Sequence, residues 1–151
     1  MAQPKTYLKV VLILALAGTL FAGYLTLNKL ITGTCAFNES CPYFLGYPAC
    51  WYGLALFLAI LITSAMGLYG KLAIRKAAKV IIAVSSVGII FAGSFVWQEI
   101  SRWFTAGSTS YGLVLPTCVY GLVFYIALLI TSVLFFRKSR ETNNDEKNQK
   151  F

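Results

Sequence analysis

Four cysteines are the residues of this 151-residue chain whose type and spacing are suited to chemistry. Cys35 and Cys41 enclose five residues, a gap that a disulfide can close if the loop turns back on itself. Cys50 and Cys118 each stand at the start of a long apolar segment. Thiols form disulfides and exchange them with other thiols. The sequence contains no histidine, which excludes histidine acid–base catalysis and histidine ligation of haem or zinc.

An internal repeat gives two of the cysteines equivalent positions. The segment 48–64, PACWYGLALFLAILITS, recurs at 116–132 as PTCVYGLVFYIALLITS. Upstream of each copy, GTLFAG at 18–23 recurs as GIIFAG at 88–93, so the repeating unit is a pair of apolar segments joined by a loop. The two copies are 70 residues apart in the upstream segment and 68 residues apart in the downstream segment. The difference falls in the loop that joins the two segments, where a small deletion is tolerated.

The composition places the chain in a bilayer. It is 58% hydrophobic and 12% charged, and the charged fraction is about half that of ordinary soluble domains. Four apolar segments are long enough to cross a membrane as helices, at about 7–27, 48–70, 80–101 and 116–136. We therefore predict an all-α membrane protein whose transmembrane domain spans 1–136, with repeat one at about 7–70 and repeat two at about 78–136. The polar segment 137–151 is predicted to be a disordered cytoplasmic tail.

Basic residues predict the orientation. Nine of them flank the N-terminus, the middle connection or the C-terminus: Lys5, Lys9, Lys71, Arg75, Lys76, Lys79, Arg137, Lys138 and Arg140. The other two loops carry only Lys29 and Arg102, so both termini and the middle connection should face the cytoplasm. All four cysteines then lie on the non-cytoplasmic side, where disulfides persist. The net charge of +8 is mostly a topology signal, and no nucleic-acid role is indicated.

Each repeat crosses the membrane twice, so the two helical hairpins should be related by a pseudo-twofold axis along the membrane normal and form a four-helix bundle. Gly18 with Ala22, and Gly88 with Ala92, place small residues four apart on one helical face. Small residues permit close helix contacts in lipid, so we expect the first and third helices to approach closely. Aromatic residues near the cysteines, among them Trp51 and Trp97, are expected to form an interfacial belt rather than a ligand pocket.

Proline should occupy the first turn of the second and fourth helices, at Pro48 and Pro116. Cys50 and Cys118, two residues later, would then lie near the positive end of a helix dipole, a position that favours thiolate over thiol. Four cysteines allow three pairings, and we favour Cys35 with Cys41 and Cys50 with Cys118, with a bond between Cys41 and Cys50 as an exchange intermediate.

Two roles are open for these disulfides. As permanent bonds they would stabilise the fold, although the chain-entropy value of roughly 4 kcal/mol for the interval from Cys50 to Cys118 assumes a flexible chain in water and is an upper value for inserted helices. As exchange-active bonds they would carry electrons. The spacing lacks the short Cys-x-x-Cys knuckles of zinc sites, so no metal is expected.

The residues resemble the vitamin K epoxide reductase family. The resemblance consists of four membrane helices, a cysteine pair in the first outer loop, the step Gly46-Tyr47-Pro48 into the second helix, and Cys118 at the head of the fourth. Members of that family pass electrons from thiol proteins outside the membrane to a quinone, through a loop pair and a Cys-x-x-Cys pair at the membrane edge. This chain departs from the pattern, because Leu115 stands where the first cysteine of that second pair would be. Cys50, at the duplicate position, is the candidate substitute.

The resemblance implies a relay in which Cys35 and Cys41 meet a thioredoxin-like protein while Cys50 and Cys118 face a quinone. It also implies a bacterial cytoplasmic membrane rather than the endoplasmic reticulum. The alternative is a non-enzymatic tetraspan protein, held by two permanent disulfides, that assembles with another membrane protein. Transport is disfavoured because, apart from Lys9 near the inner edge, the four spans lack ionisable side chains at mid-membrane depth.

Overall fold

The structure, a computed structural model, describes residues 4–33, 43–106 and 117–149. Its helices are α1 (Pro4–Thr32), α2 (Ala49–Leu68), α3 (Ile74–Ala106) and α4 (Thr117–Gln149). An antiparallel pair of two-residue strands, β1 (Tyr43–Phe44) and β2 (Tyr47–Pro48), lies between α1 and α2. All four helices are long and apolar enough to cross a bilayer. The described part of the chain is therefore mostly helical and has the four apolar helices that were predicted.

Local sequence explains the boundaries of α2. Pro48 is the N-cap residue, with φ −60° and ψ 138°, and so lies one position before the helix rather than inside its first turn. At the other end, Gly70 adopts a φ of +74°, a conformation that glycine reaches without strain. The amide of Gly70 donates to the Gly67 carbonyl and that of Lys71 to the Met66 carbonyl, the pattern of a Schellman motif. The chain therefore reverses tightly into α3.

The helices pack as two hairpins, because α1 makes its most extensive contacts with α2 and α3 makes its own with α4. Contacts of α2 with α3, and smaller ones of α1 with α4, join the hairpins. The buried positions repeat with the sequence: every residue of 7–26 that is buried has a buried counterpart 70 positions later. On α2 and α4 the matched buried pairs, 68 positions apart, are Phe57 and Tyr125, Ile60 and Leu128, and Ser64 and Ser132.

The role predicted for the small residues on α1 and α3 is wrong. Within the described ranges, α1 and α3 are not among the helix pairs in extensive contact. Instead, the ring of Phe57 on α2 lies against Gly18, and the ring of Tyr125 on α4 lies against Gly88. Because glycine has no side chain, Gly18 and Gly88 each leave a slot on the helix surface. An aromatic ring that fills this slot makes more contact area than the backbone of a neighbouring helix would make.

The polar tail also differs from expectation. Helix α4 continues to Gln149, through most of the segment predicted to be disordered. After Gly121 the helix contains neither glycine nor proline, so no residue interrupts it. The Arg75 side chain donates to the Ser139 carbonyl at 3.2 Å, which ties this part of α4 to α3. Residues 150 and 151 lie outside the described ranges.

A contact between α1 and α4 closes the end of the bundle opposite the cysteines. The Tyr7 hydroxyl donates a buried hydrogen bond of 2.9 Å to the Ser132 hydroxyl. The Tyr7 ring also stacks on Phe135, with centroids 4.1 Å apart and planes 3° from parallel. A buried hydroxyl is costly without a partner, and here two hydroxyls satisfy each other. This contact holds α1 to α4 at that end.

The glycine slots predict the effect of a single methyl group. A Cβ atom at Gly88 would lie 2.6 Å from two carbons of the Tyr125 ring, which cannot easily move because it is stacked and hydrogen-bonded. We expect Gly88→Ala to destabilise the fold by about 1 to 3 kcal/mol, the usual cost of overpacking. Gly93→Ala on the same helix is the matched control, since a Cβ there would meet no atom within 4 Å. Thermal unfolding in detergent should show a lower midpoint for Gly88→Ala only. Equal midpoints would contradict the packing described.

Candidate cavity with two thiols

The candidate site is a cavity of about 60 Å³ at the end of the bundle where α2 and α4 begin. All four helices line it, with the residues Phe21, Ala22, Leu25, Ala49, Cys50, Gly53, Phe57, Phe91, Ala92, Phe95, Cys118, Gly121 and Tyr125. Apart from Ala49, these residues form six repeat-equivalent pairs, with offsets of 70 on α1 and α3 and of 68 on α2 and α4. The cavity therefore lies where the two repeats meet.

Two of the predicted site residues come together here. Cys50 is the second residue of α2 and Cys118 the second residue of α4, so both lie in the first turn of a helix, as predicted. Both are partly exposed, and both line the same cavity. No disulfide joins them in the described part of the chain, so the favoured bond stays a prediction. Cys35, Cys41 and Pro116 lie outside the described residues.

Two stacked rings lie on the side of the cavity away from the cysteine end. Phe57 and Tyr125 are equivalent residues of the two repeats, each 2% exposed, and their rings lie 4.3 Å apart with planes 9° from parallel. The Tyr125 hydroxyl crosses to α2 and donates to the Gly53 carbonyl at 3.0 Å. Because each ring also fills a glycine slot, the stack fixes the depth of the cavity. Sequence analysis missed this pair, although the repeat position that they share is aromatic in both copies.

The strand pair positions a third aromatic group beside the cavity. Its two-residue turn, Leu45-Gly46, has φ values of +50° and +86°, and a turn with two positive φ values matches the twist of a tight hairpin. Phe44 then packs edge-on against three rings, with centroid distances of 5.5 Å to Tyr52, 5.5 Å to Phe91 and 6.4 Å to Phe95. The Tyr52 hydroxyl donates to the Phe44 carbonyl at 3.2 Å. This hairpin is thereby fixed over α2 and α3.

Two of the three tryptophans, Trp51 and Trp97, have described side chains, and the interfacial belt stays a prediction. Trp51 and Trp97 are exposed, as are Tyr43 and Tyr47 beside them. Neither tryptophan lines the cavity. The rings that do line it, on Phe21, Phe57, Phe91, Phe95 and Tyr125, come from positions that sequence reasoning treated as generic apolar sequence.

The chemistry available in the cavity is limited to sulfur and one hydroxyl. Among its described lining residues there is no charged side chain, and the described part of the chain has no group of three side chains arranged to hold a metal ion. An apolar cavity needs about 150 Å³ to hold a benzene molecule. The volume of about 60 Å³ therefore has room for the edge of a ring, but does not enclose a whole ring.

Comparisons of the chain with protein-family models, with curated proteins and with solved structures found no match.

The shared cavity predicts that Cys50 and Cys118 can be cross-linked. In a Cys35→Ser/Cys41→Ser protein they are the only cysteines, and mild oxidation with diamide should join them within one chain. The measurement is mass spectrometry of alkylated peptides, with and without reduction. Adding Cys50→Ser provides the control, because it should remove the cross-link. Full alkylation of both thiols after diamide treatment would show that the two sulfurs cannot meet.

Proposed function

We propose that this protein is an integral membrane thiol–disulfide oxidoreductase that relays electrons from an extracytoplasmic thiol protein to a quinone. The observation that carries the proposal is the convergence of Cys50 and Cys118, equivalent residues of the two repeats, on one apolar cavity lined by all four helices. The resemblance to the vitamin K epoxide reductase family supports the same chemistry. In this chain a cysteine from each repeat takes the place of a Cys-x-x-Cys pair on one helix.

The proposed reaction has three steps. In the first, the thiols of Cys50 and Cys118 form a disulfide and transfer two electrons and two protons to the quinone, which becomes a hydroquinone. In the second, the thiols of Cys35 and Cys41 reduce that disulfide by exchange, through a mixed disulfide between Cys41 and Cys50. A thioredoxin-like dithiol protein then reduces the Cys35–Cys41 disulfide and is itself oxidised.

The position of the two inner cysteines suits the first step. Each lies in the first turn of a helix and lines the cavity that would receive the quinone. The surrounding wall is made of aromatic and small apolar side chains, which suit a planar apolar ring. The Tyr125 hydroxyl, hydrogen-bonded to Gly53, is the polar group at the far side.

The proposal includes a pseudo-twofold axis along the membrane normal, with both termini and the tail in the cytoplasm. The matched burial of α1 with α3 and of α2 with α4 supports this symmetry, as does the stack of two equivalent rings, Phe57 on Tyr125. The basic residues that flank both termini and the middle connection support the orientation. The cysteine end of the bundle would then face the bacterial periplasm or cell exterior.

One observation favours the alternative of a non-enzymatic, disulfide-held tetraspan protein. The cavity is smaller than a quinone ring requires when the helices stand as they do. In that case a Cys50–Cys118 bond would be permanent, and quinone would not affect it. The two functions therefore differ in a measurable property, the response of the thiols to quinone.

The redox proposal predicts oxidation by quinone in a single turnover. Purified, reduced Cys35→Ser/Cys41→Ser protein in lipid nanodiscs should convert decylubiquinone to its hydroquinone, one molecule per protein, because two thiols carry two electrons. This quinone has a fully substituted ring, so direct thiol addition is suppressed. The absorbance of the quinone and the alkylation state of the two cysteines are measured together. Cys50→Ser and Cys118→Ser in the same background are the controls and should both be inactive. If the reduced protein keeps both thiols, the relay proposal is wrong.

The exchange step predicts a trapped partner. In Cys41→Ser protein, expressed in its membrane, Cys35 can still attack the disulfide of an oxidised partner, which is the reverse of the partner's reaction with the loop pair, but Cys41 is no longer present to release the mixed disulfide. A species that disappears on reduction should therefore appear on non-reducing gels, and the double variant Cys35→Ser/Cys41→Ser should lack it. Identical gels for the two variants would contradict a shuttle role for the loop pair.

The orientation predicts which side of the membrane is labelled. In protein whose four cysteines are replaced by serine, Tyr47→Cys lies at the cysteine end and Lys76→Cys lies in the basic connection, and both positions are exposed. A membrane-impermeant maleimide applied to intact cells should label only Tyr47→Cys, and lysis should make Lys76→Cys reactive. The reverse pattern would place the cysteine end in the cytoplasm.

A further inference from the structure

We propose that the cavity opens sideways to the bilayer between α1 and α4, beside Leu25 and Gly121, and that this gap admits the ring of a lipid-soluble quinone. The identity of the occupant rests on the proposed function, whereas the position of the gap rests on the packing. The two repeats offer two equivalent gaps, one between α1 and α4 and one between α2 and α3. Three differences between them leave more room in the first beside Leu25, whereas Phe124 on α4, whose counterpart on α2 is Leu56, adds a ring against Phe21 further into the bundle.

The first difference is one pair of lining residues. Leu25 on α1 and Phe95 on α3 are equivalent, and each is 8% exposed. Both line the cavity. Because leucine is smaller than phenylalanine, Leu25 fills less of the α1–α4 gap than Phe95 fills of the α2–α3 gap.

The second difference concerns the glycines one turn after the cysteines. A Cβ atom on Gly53 would lie 4.0 Å from the Tyr125 hydroxyl, which reaches across the cavity to α2. A Cβ atom on Gly121 would meet no atom within 4 Å. The cause is the residue opposite, because Phe57 has no hydroxyl where Tyr125 has one. Among the residues that the structure describes, none occupies the space beside Gly121.

The third difference is the hairpin. Phe44 packs against Phe91 and Phe95 of α3 and against Tyr52 of α2, so its ring covers the α2–α3 gap. The position 68 residues later in the second repeat, Gly112, lies outside the described residues. At the α1–α4 gap, the ring centroids of Phe21 and Tyr120 are 6.0 Å apart. The equivalent rings at the α2–α3 gap, Phe91 and Tyr52, are closer, with centroids 5.5 Å apart.

The helix contacts agree with this asymmetry. α1 packs against α4 less extensively than α2 packs against α3. The α1–α4 contact is firm at the opposite end of the bundle, where Tyr7 stacks on Phe135 and donates to Ser132. Helices held at one end can separate at the other. A small separation beside Leu25 would also resolve the size problem, because a ring could enter by its edge while the rest stays in the gap and its tail stays in lipid.

The test narrows the gap by one side chain. In the Cys35→Ser/Cys41→Ser background, Leu25→Phe copies the residue that the equivalent position already accommodates, so the fold should tolerate it. Leu27→Phe, on the same helix at an exposed position, is the matched control. In proteoliposomes, the probe N-phenylmaleimide should alkylate Cys50 and Cys118 about tenfold more slowly in Leu25→Phe than in Leu27→Phe. Single-turnover oxidation by decylubiquinone should slow in parallel.

A second substitution, which opens the α2–α3 gap, tests whether the alkylation rate can be restored. Adding Phe44→Ala to Leu25→Phe should restore the alkylation rate, because it uncovers the α2–α3 gap. Equal alkylation rates in Leu25→Phe and Leu27→Phe would overturn the proposed entrance, as would a rate in Leu25→Phe that the Phe44→Ala change leaves slow. If alkylation depends on Leu25 but decylubiquinone oxidises none of the proteins, the entrance is supported and the proposed redox function alone is overturned.

Discussion

The structure depends on one contact at its centre, the stack of Phe57 on Tyr125. Each ring fills the slot left by a glycine on the preceding helix of its own repeat, and each is held by the ring of the other repeat. In a bilayer the hydrophobic effect does not drive helices together, so close packing of this kind has to hold them. The stack joins the two hairpins at a single depth, and the cavity with its two thiols lies between that depth and the cysteine end of the bundle.

Duplication explains why the site is built from pairs. A helix that begins with a Pro-x-Cys step, present twice, delivers two sulfurs to one end of the bundle, and the repeated glycine at Gly53 and Gly121 leaves space beside them. A single hairpin has one such sulfur and one such glycine. The redox chemistry proposed here needs two thiols, so under that proposal the second repeat supplies the reaction partner as well as half of the scaffold.

Under the proposed entrance, function depends on where the repeats differ. Tyr125 carries a hydroxyl that Phe57 lacks, Phe95 is larger than Leu25, and Phe44 has a glycine as its counterpart. Each difference is small in sequence, yet all three fill the same gap, between α2 and α3. An assembly with equal gaps would offer a ligand two entrances and two orientations. The divergence of the repeats is a physical means of choosing one of them.

Much of the architecture could be predicted because membranes impose simple rules. Four apolar segments of sufficient length predict four spans, and the repeat predicts that Cys50 and Cys118 take matched places at helix starts, as the structure shows. The expectation that Gly18 and Gly88 mark contacts between α1 and α3 was wrong, because a glycine indicates a close neighbour without saying which helix provides it. The tail that was predicted to be disordered is helical as far as Gln149. Polarity alone does not end a helix in a segment that lacks glycine and proline.

By itself, the sequence determined the number of helices, the kind of environment they occupy, the equivalence of the two halves and the location of two thiols near helix starts. These properties follow from composition and from local periodicity, which depend on neighbours along the chain. Only the tertiary structure decided that Phe57 meets Tyr125, that the cavity is about 60 Å³, and that Phe44 lies against Phe91 and Phe95. Those properties depend on which faces of separate helices meet, and side-chain shape settles that choice only when all four helices pack together.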